Sequence, residues 1–239
     1  MATWNPWHGC KKISPGCLNC YVYRLDERFG RNSSVVTKTK NFDLPIRCCN
    51  NGEYKLKTKD IIYTCLSSDF FLEDADIWCS QAWEMIKERA DLKFFIITKR
   101  IDRFHINLPE DWGAGYENVT IACTIENQDR ANFRLPIFLS LPIKHRVIVC
   151  EPLLEQIDFT HYLGGGIEEV SVGGESGNKA RICDFDWVLG IRNQCQKAKV
   201  GFCFRQTGAL FKKENKIYKI DRKHQQIQAQ KANVDYSSQ

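Results

Sequence analysis

Short apolar runs alternate with amphipathic stretches along most of the chain. After a minimal first run at Thr3–Pro6, they fall at Ile61–Leu66, Phe94–Thr98, Val119–Thr124, Arg146–Cys150, Glu169–Val172 and Val200–Phe204. Several are β-branched or aromatic and are bounded by polar residues or glycine, the pattern of strands buried on both faces. Helical periodicity is clearest at Ala75–Ala90, where Ile77, Trp78, Ala82, Met85 and Ile86 share a predicted face, and at Asp184–Lys197, with Trp187, Ile191 and Cys195 spaced by four. This alternation predicts an α/β fold with parallel strands.

Polar residues follow most of the runs: Ser67–Ser68–Asp69, Lys99–Arg100, Glu126–Asn127, Glu151, Glu175–Ser176 and Arg205–Gln206. A doubly wound sheet satisfies the alternation as well. A barrel, however, collects its chemistry at the C-terminal ends of several strands at once. The expected architecture is therefore a single (β/α) barrel, full or partial and TIM-like, over residues 1–208. Residues 209–239 read as a basic C-terminal extension, peripheral after Lys212 and mobile over Asn233–Gln239. Arg31–Lys59 lacks periodicity and reads as an excursion between the first helix and the second strand.

Composition narrows the class. The 239 residues are 43% hydrophobic, enough for a sizeable core in one large domain. The first residues carry no signal-peptide pattern and no apolar stretch approaches the roughly 20 residues that span a bilayer, so a soluble cytoplasmic protein without membrane contact is expected. Net charge is +5, and Ala209–Lys231 alone supplies it, with seven Lys/Arg against Glu214 and Asp221. A general nucleic-acid-coating surface is thus disfavoured, while a basic tail that helps to hold a polyanion stays open beside a plain solvated tail. Twelve cysteines without an export signal imply a reducing compartment, with Cys65, Cys123, Cys150 and Cys203 as buried thiols.

Three further cysteines are spaced for chemistry. Trp4-Asn5-Pro6-Trp7-His8-Gly9-Cys10 leads through Pro15-Gly16 to Cys17-Leu18-Asn19-Cys20, a C-x6-C-x2-C spacing. Three thiolates within eleven residues are able to converge on one centre, with a helix beginning near Cys17. In a cubane cluster, three protein ligands leave one iron open to a small molecule, whereas electron-transfer clusters are held by four. Zinc is the rival, because His8 completes a local Cys3His set.

The motifs Trp4-Asn5-Pro6, Gly9-Cys10, Ser14-Pro15-Gly16-Cys17, Cys20-Tyr21, Thr98-Lys99-Arg100, Thr124-Ile125-Glu126-Asn127-Gln128, Glu151-Pro152-Leu153-Leu154, Gly173-Gly174-Glu175-Ser176-Gly177 and Gln206-Thr207-Gly208 together resemble a phage- and bacterium-borne three-cysteine-motif family, a domain of unknown function. That family is in turn similar to radical S-adenosylmethionine enzymes, from whose C-x3-C-x2-C spacing this chain departs by three extra residues. The resemblance implies a [4Fe-4S] cluster on Cys10, Cys17 and Cys20, S-adenosyl-L-methionine as second cofactor, and generation of a 5′-deoxyadenosyl radical. It also implies a reductant as electron donor. The substrate expected is a nucleic acid or nucleotide, and a partner protein is a further expectation. The alternative is a zinc-binding, non-catalytic nucleic-acid-binding phage or defence protein.

Strand-end residues are the candidates for cofactor contact: Ser68, Asp69, Glu126, Asn127, Glu151, Gly173, Gly174 and Glu175. Most have a plainer alternative. Asp69 and Asn127 suit helix caps, Gly173-Gly174 a tight turn, and Glu151 a solvent-facing end. Trp4, Trp7 and Tyr21 either shield the cysteines or pack a core. No catalytic residue is assigned.

Overall fold

The structure is a computed structural model that describes residues 2–58 and 60–237. Lys59, in the expected excursion, and Ser238 and Gln239, in the expected mobile end, lie outside the described residues. The chain folds into two compact units, each assembled from three segments.

The first unit comprises Met1–Lys12, Val22–Ala122 and Leu141–His145. Its elements are β1 (Ala2–Trp4), β2 (Trp7–His8), α1 (Tyr21–Arg28), β3 (Thr37–Lys38), β4 (Ile61–Thr64), α2 (Asp76–Glu88), β5 (Lys93–Thr98) and most of β6 (Val119–Thr124). β1 and β5 flank β4 in parallel, with Trp4 opposite Thr64 and Thr64 opposite Ile96. On β5 the period of two is visible: Phe94, Ile96 and Thr98 are buried, and Phe95 and Ile97 are half-buried. The core is aromatic. Trp83 stacks edge-on with Phe70 at 4.9 Å and with Trp112 at 5.1 Å, and Trp4 and Trp7 are wholly buried. α2 buries Cys79, Ala82, Trp83, Met85 and Ile86, one helical stripe. Ile77, expected on that stripe, is 78% exposed. It sits one position off the arc that Cys79, Trp83 and Ile86 define.

The second unit comprises Ile13–Tyr21, Cys123–Ser140 and Arg146–Gln239. It holds the end of β6, α3 (Gln128–Ser140), all but the first residue of β7 (His145–Cys150), β8 (Ile167–Gly173), β9 (Ile182–Asp184), α4 (Phe185–Ala198), β10 (Gly201–Gln206), β11 (Leu210–Lys213), β12 (Lys216–Lys219) and α5 (Arg222–Lys231). β7 and β10 flank β8 in parallel. α4 starts where the Asp184 carboxylate accepts the Asp186 amide at 3.0 Å, and stops at Lys199 in the left-handed region. Val188, Ile191 and Cys195 form its buried face, and Trp187 is half-buried.

β6 adjoins β5 in one unit and β7 in the other, giving the order β1-β4-β5-β6-β7-β8-β10. That order follows the chain without reversal. Doubly wound sheets reverse at a switch point, whereas barrels wind in one sense. The α/β expectation with parallel strands therefore holds, and the order is compatible with a partial (β/α) barrel. No helix among the described residues is long and apolar enough to cross a membrane.

The segment after Gly208 is tied to the rest of its unit, although β12 itself is exposed along its whole length. β11 pairs in parallel with β9 and antiparallel with β12. α5 packs on β10, with Gln225 and Ala229 buried. Beyond it, Tyr236 exchanges backbone hydrogen bonds with Phe202 at 2.7 and 2.9 Å, and Asp235 accepts the Phe204 amide at 2.7 Å. Asn233–Ser237, expected to be mobile, thus binds the edge of β10. The cause is pairing: β10 offers free edge groups that the chain end satisfies.

Candidate functional site

In the first unit the Cys10 segment is tied to the ends of β4 and β5. The Gly9 and Cys10 amides donate to Ser67 and Ser33 carbonyls at 3.2 and 2.7 Å, and the Ser68 hydroxyl donates to the Gly9 carbonyl at 2.5 Å. Tyr23 donates to the Cys10 carbonyl. Asp69, buried just past β4, accepts from the Phe71 amide, the Thr98 hydroxyl and the Lys99 amide at 3.1, 2.7 and 2.8 Å. It also faces buried Arg100 at 3.5 Å. Arg100 in turn donates to the Lys11 carbonyl at 2.7 Å and lies 3.7 Å from the Cys10 sulfur. Burial works against the Arg100 charge, but Asp69 and Cys10 outweigh it and hold its pKa above the ordinary value. A guanidinium against sulfur is a setting that favours thiolate, the form that binds metals.

His8 also belongs to this unit. Its Nε2 lies 2.8 Å from buried Asp26, which accepts a further hydrogen bond from Ser33 at 2.5 Å. It lines a polar cavity of about 450 Å³ together with Asn5, Arg31, Thr39 and Ser67.

In the second unit Cys17 ends a single 3-10 turn, Pro15–Cys17, and the Cys20 amide donates to its carbonyl at 3.3 Å. Two carboxylates hold this segment. Glu126, past the end of β6 and wholly buried, accepts the Gly16 amide at 3.3 Å and Arg134 at 2.7 Å, and Arg134 also donates to the Thr124 carbonyl at 2.7 Å. Only glycine fits at Gly16 undisturbed, since a Cβ there would lie 3.2 Å from the Glu126 carboxyl. Glu175, buried past β8, accepts from Asn19 at 3.0 Å and from the Arg181 amide, Nε and Nη2 at 2.9, 3.0 and 2.6 Å. Arg181 also donates to the Pro15 carbonyl at 3.0 Å. Burial alone would raise the Glu175 pKa, but the hydrogen bonds from Arg181 and Asn19 hold it below the usual carboxylate range.

The remaining strand-end candidates are engaged by the protein itself. Asn127 caps α3, its side chain accepting the Arg130 amide at 3.0 Å. Glu151 precedes a cis proline and accepts from Ser171 at 3.2 Å. At Gly174 a Cβ would sit 2.3 Å from the Thr207 carbonyl oxygen, so the glycine admits the close approach of the chain that follows β10. Gly173 faces the Glu151 and Gln206 side chains in the same way. Trp4 and Trp7 are core residues whose indoles donate to the Phe42 and Asp69 carbonyls at 2.9 and 3.1 Å. Sequence reasoning missed Arg134, Arg181 and Asn19. For Arg134 a signal exists: it falls on the apolar stripe Ala131, Leu135 and Phe138, where a cation requires a buried partner.

Near these strand ends the second unit contains a cavity of about 310 Å³ lined by Tyr21, Ser176, Gln206, Arg222 and Gln226. Burial, reinforced by Cys20, pushes the Tyr21 hydroxyl up to about 12, so it stays protonated.

The donor chemistry separates the cysteines. Burial pushes the thiols of Cys79, Cys183 and Cys195 up to about 12 and those of Cys65 and Cys150 well above the ordinary value, which disfavours the thiolate there. Cys10, Cys17 and Cys20 are half-buried and form no disulfide. They suit a thiolate-bound cluster. Among the described residues no group of three or more His, Cys, Asp or Glu is gathered to hold a metal ion, so a cluster would draw its ligands together as it binds.

Fold and site together define an α/β protein with sequentially ordered parallel strands and a tethered cysteine loop. The chain belongs to the DUF5131 family, described as proteins of unknown function, whose family model matches residues 1–235. No curated protein and no solved structure matches it.

Proposed function

We propose that this protein is an iron–sulfur enzyme of the radical S-adenosylmethionine type, with Cys10, Cys17 and Cys20 as cluster ligands and a nucleotide or nucleic acid as substrate. The observation that carries the reading is the treatment of the cysteine segments. Three half-buried cysteines, none in a disulfide, lie on chain held by charged pairs with buried carboxylates at strand ends, Asp69–Arg100 in one unit and Glu126–Arg134 and Glu175–Arg181 in the other. Such tethering anchors the segments that carry the ligands, which close on the cluster as it binds, and fits a reaction centre at strand C-termini. When bound on these three thiolates, a cluster would supply the electron for reductive cleavage of a sulfonium cofactor. The protein's own residues anchor the ligands, favour the Cys10 thiolate through Arg100 and exclude water with the aromatic core. Asp69, Glu126 and Glu175 act in this reading as positioning residues rather than as direct cofactor ligands. An external reductant and a reducing, cytoplasmic compartment go with this chemistry.

One observation favours a second reading. A carboxylate behind a histidine, as Asp26 stands behind His8, is the usual support of a metal-ligating imidazole. That would suit structural zinc on His8 and the three cysteines.

Anaerobic purification decides between them. The first reading expects about four irons and four sulfides per chain, with 5′-deoxyadenosine formed on adding S-adenosylmethionine and dithionite. Stoichiometric zinc without iron overturns it.

A further inference from the structure

The second unit contains a feature that the cysteine loop does not use. Its cavity of about 310 Å³ lies between the chain after β8, the end of β10 and the start of α5. The lining is one tyrosine, one serine, two glutamines and one arginine, with no carboxylate among them. That is a specific chemistry. Two primary amides present paired donors and acceptors of the kind that read base edges. An aromatic ring offers a stacking face, and a guanidinium pairs with phosphate. The volume lies near the lower bound of small-ligand sites, about 300 Å³, which suits one nucleotide rather than a larger cofactor.

The surface around Arg222 supports the same class. Several exposed lysines elsewhere are paired, Lys11 with Asp74, Lys57 with Glu53, Lys87 with Asp111 and Lys144 with Glu117, while Lys40, Lys55, Lys93, Lys197 and Lys199 stand apart along the chain and carry no ion pair among the described residues. Lys212 is paired with Asp184. Among the described residues Lys216, Lys219, Arg222 and Lys223 form no ion pair, although they crowd into eight positions of β12 and the start of α5. Every residue of β12 is exposed, including Ile217 and Tyr218. Unpaired cations interleaved with an exposed aromatic ring are the footprint of a single-stranded polyanion with stacked bases.

We infer that this cavity seats one nucleotide of a single-stranded nucleic acid, whose flanking phosphates run along Lys216, Lys219 and Lys223. The inference rests on the proposed function for the reaction that follows, not for the binding itself, and it names the substrate class.

Fluorescence anisotropy on the full chain tests it, with a labelled mixed-sequence oligonucleotide of about twelve nucleotides as RNA and as DNA, and with the corresponding duplex. One of the single strands binds, and the duplex binds at least tenfold more weakly. The triple variant Lys216→Ala, Lys219→Ala, Lys223→Ala lowers the slope of log affinity against log salt by about 2, since each lost single-strand phosphate contact is worth about 0.7. Gln226→Leu, at an exposed position, weakens binding at least fivefold and leaves the slope alone. No binding at low salt, equal affinity for duplex, an unchanged slope in the triple variant or wild-type affinity in Gln226→Leu each overturns the inference. A chain that cleaves S-adenosylmethionine but binds no oligonucleotide refutes this site and spares the enzyme reading. A chain that binds the oligonucleotide but loads no iron does the reverse.

Discussion

Glu126 accepts the amide of Gly16 at 3.3 Å across 110 residues of sequence, fastening the turn that carries Cys17 to the end of β6. The same carboxylate neutralises Arg134, and both side chains are buried. Glu126→Ala leaves that guanidinium buried and unpaired. A loss of about 3–5 kcal/mol is expected in urea unfolding, together with reduced iron loading after reconstitution. Normal stability with impaired cofactor binding alone would instead make Glu126 a direct cofactor ligand.

The cysteines divide by accessibility and chemistry. Cys10→Ala, Cys17→Ala and Cys20→Ala are each expected to abolish iron binding with little loss of stability in the apo chain. Cys150→Ala and Cys195→Ala, at fully buried positions, are expected to keep the iron and lower the melting temperature. Iron analysis beside thermal melts separates the two groups; iron retained in Cys17→Ala would remove it from the ligand set.

Glu175 gives a pH signature. Its folded pKa lies below its ordinary value of 4.5, so the carboxylate stabilises the fold above that pH. The contribution is lost as pH falls through the lowered folded value. The stability gap between the native chain and Glu175→Gln should therefore be full at pH 6–7 and shrink steadily on acidification below 4.5. Urea titrations across that range measure it, and a gap that widens in acid contradicts the assignment.

Truncation tests the tail. Because the sequence motifs stop at Gly208, removing the residues after Asn215 is expected to leave the cluster ligands in place. In the fold, that cut removes β12 and α5 and strips Asp235 and Tyr236 from β10. The shortened chain is expected to unfold at lower temperature and to aggregate through the bared edge. Unchanged melting and solubility would restore the tail to a passive role.

The difference between the two readings has a physical origin. Strands β4 to β8 and β10 were legible because buried parallel strands write themselves as apolar runs, and Asp69, Glu126 and Glu175 were legible as the polar residues that end them. What those carboxylates touch was not. Arg181 and Asn19 meet at Glu175 from opposite ends of the chain, and nothing in local periodicity records that convergence. Ile77 failed for a related reason: one apolar residue too many in a helix period leaves its face undetermined until the partner surface is known. β12 and α5, polar and short, owe their order to β11 and β10 and not to any pattern of their own.

Each unit is stitched from three stretches of chain, and β6 belongs to both. Neither unit is encoded by one uninterrupted piece of gene. A single crossover cannot transplant one without the other, and no single proteolytic nick releases either intact. Inheritance and degradation should therefore treat the 239 residues as indivisible. The productive way to divide the protein for study is to co-express complementary fragments broken at surface loops rather than to isolate a half.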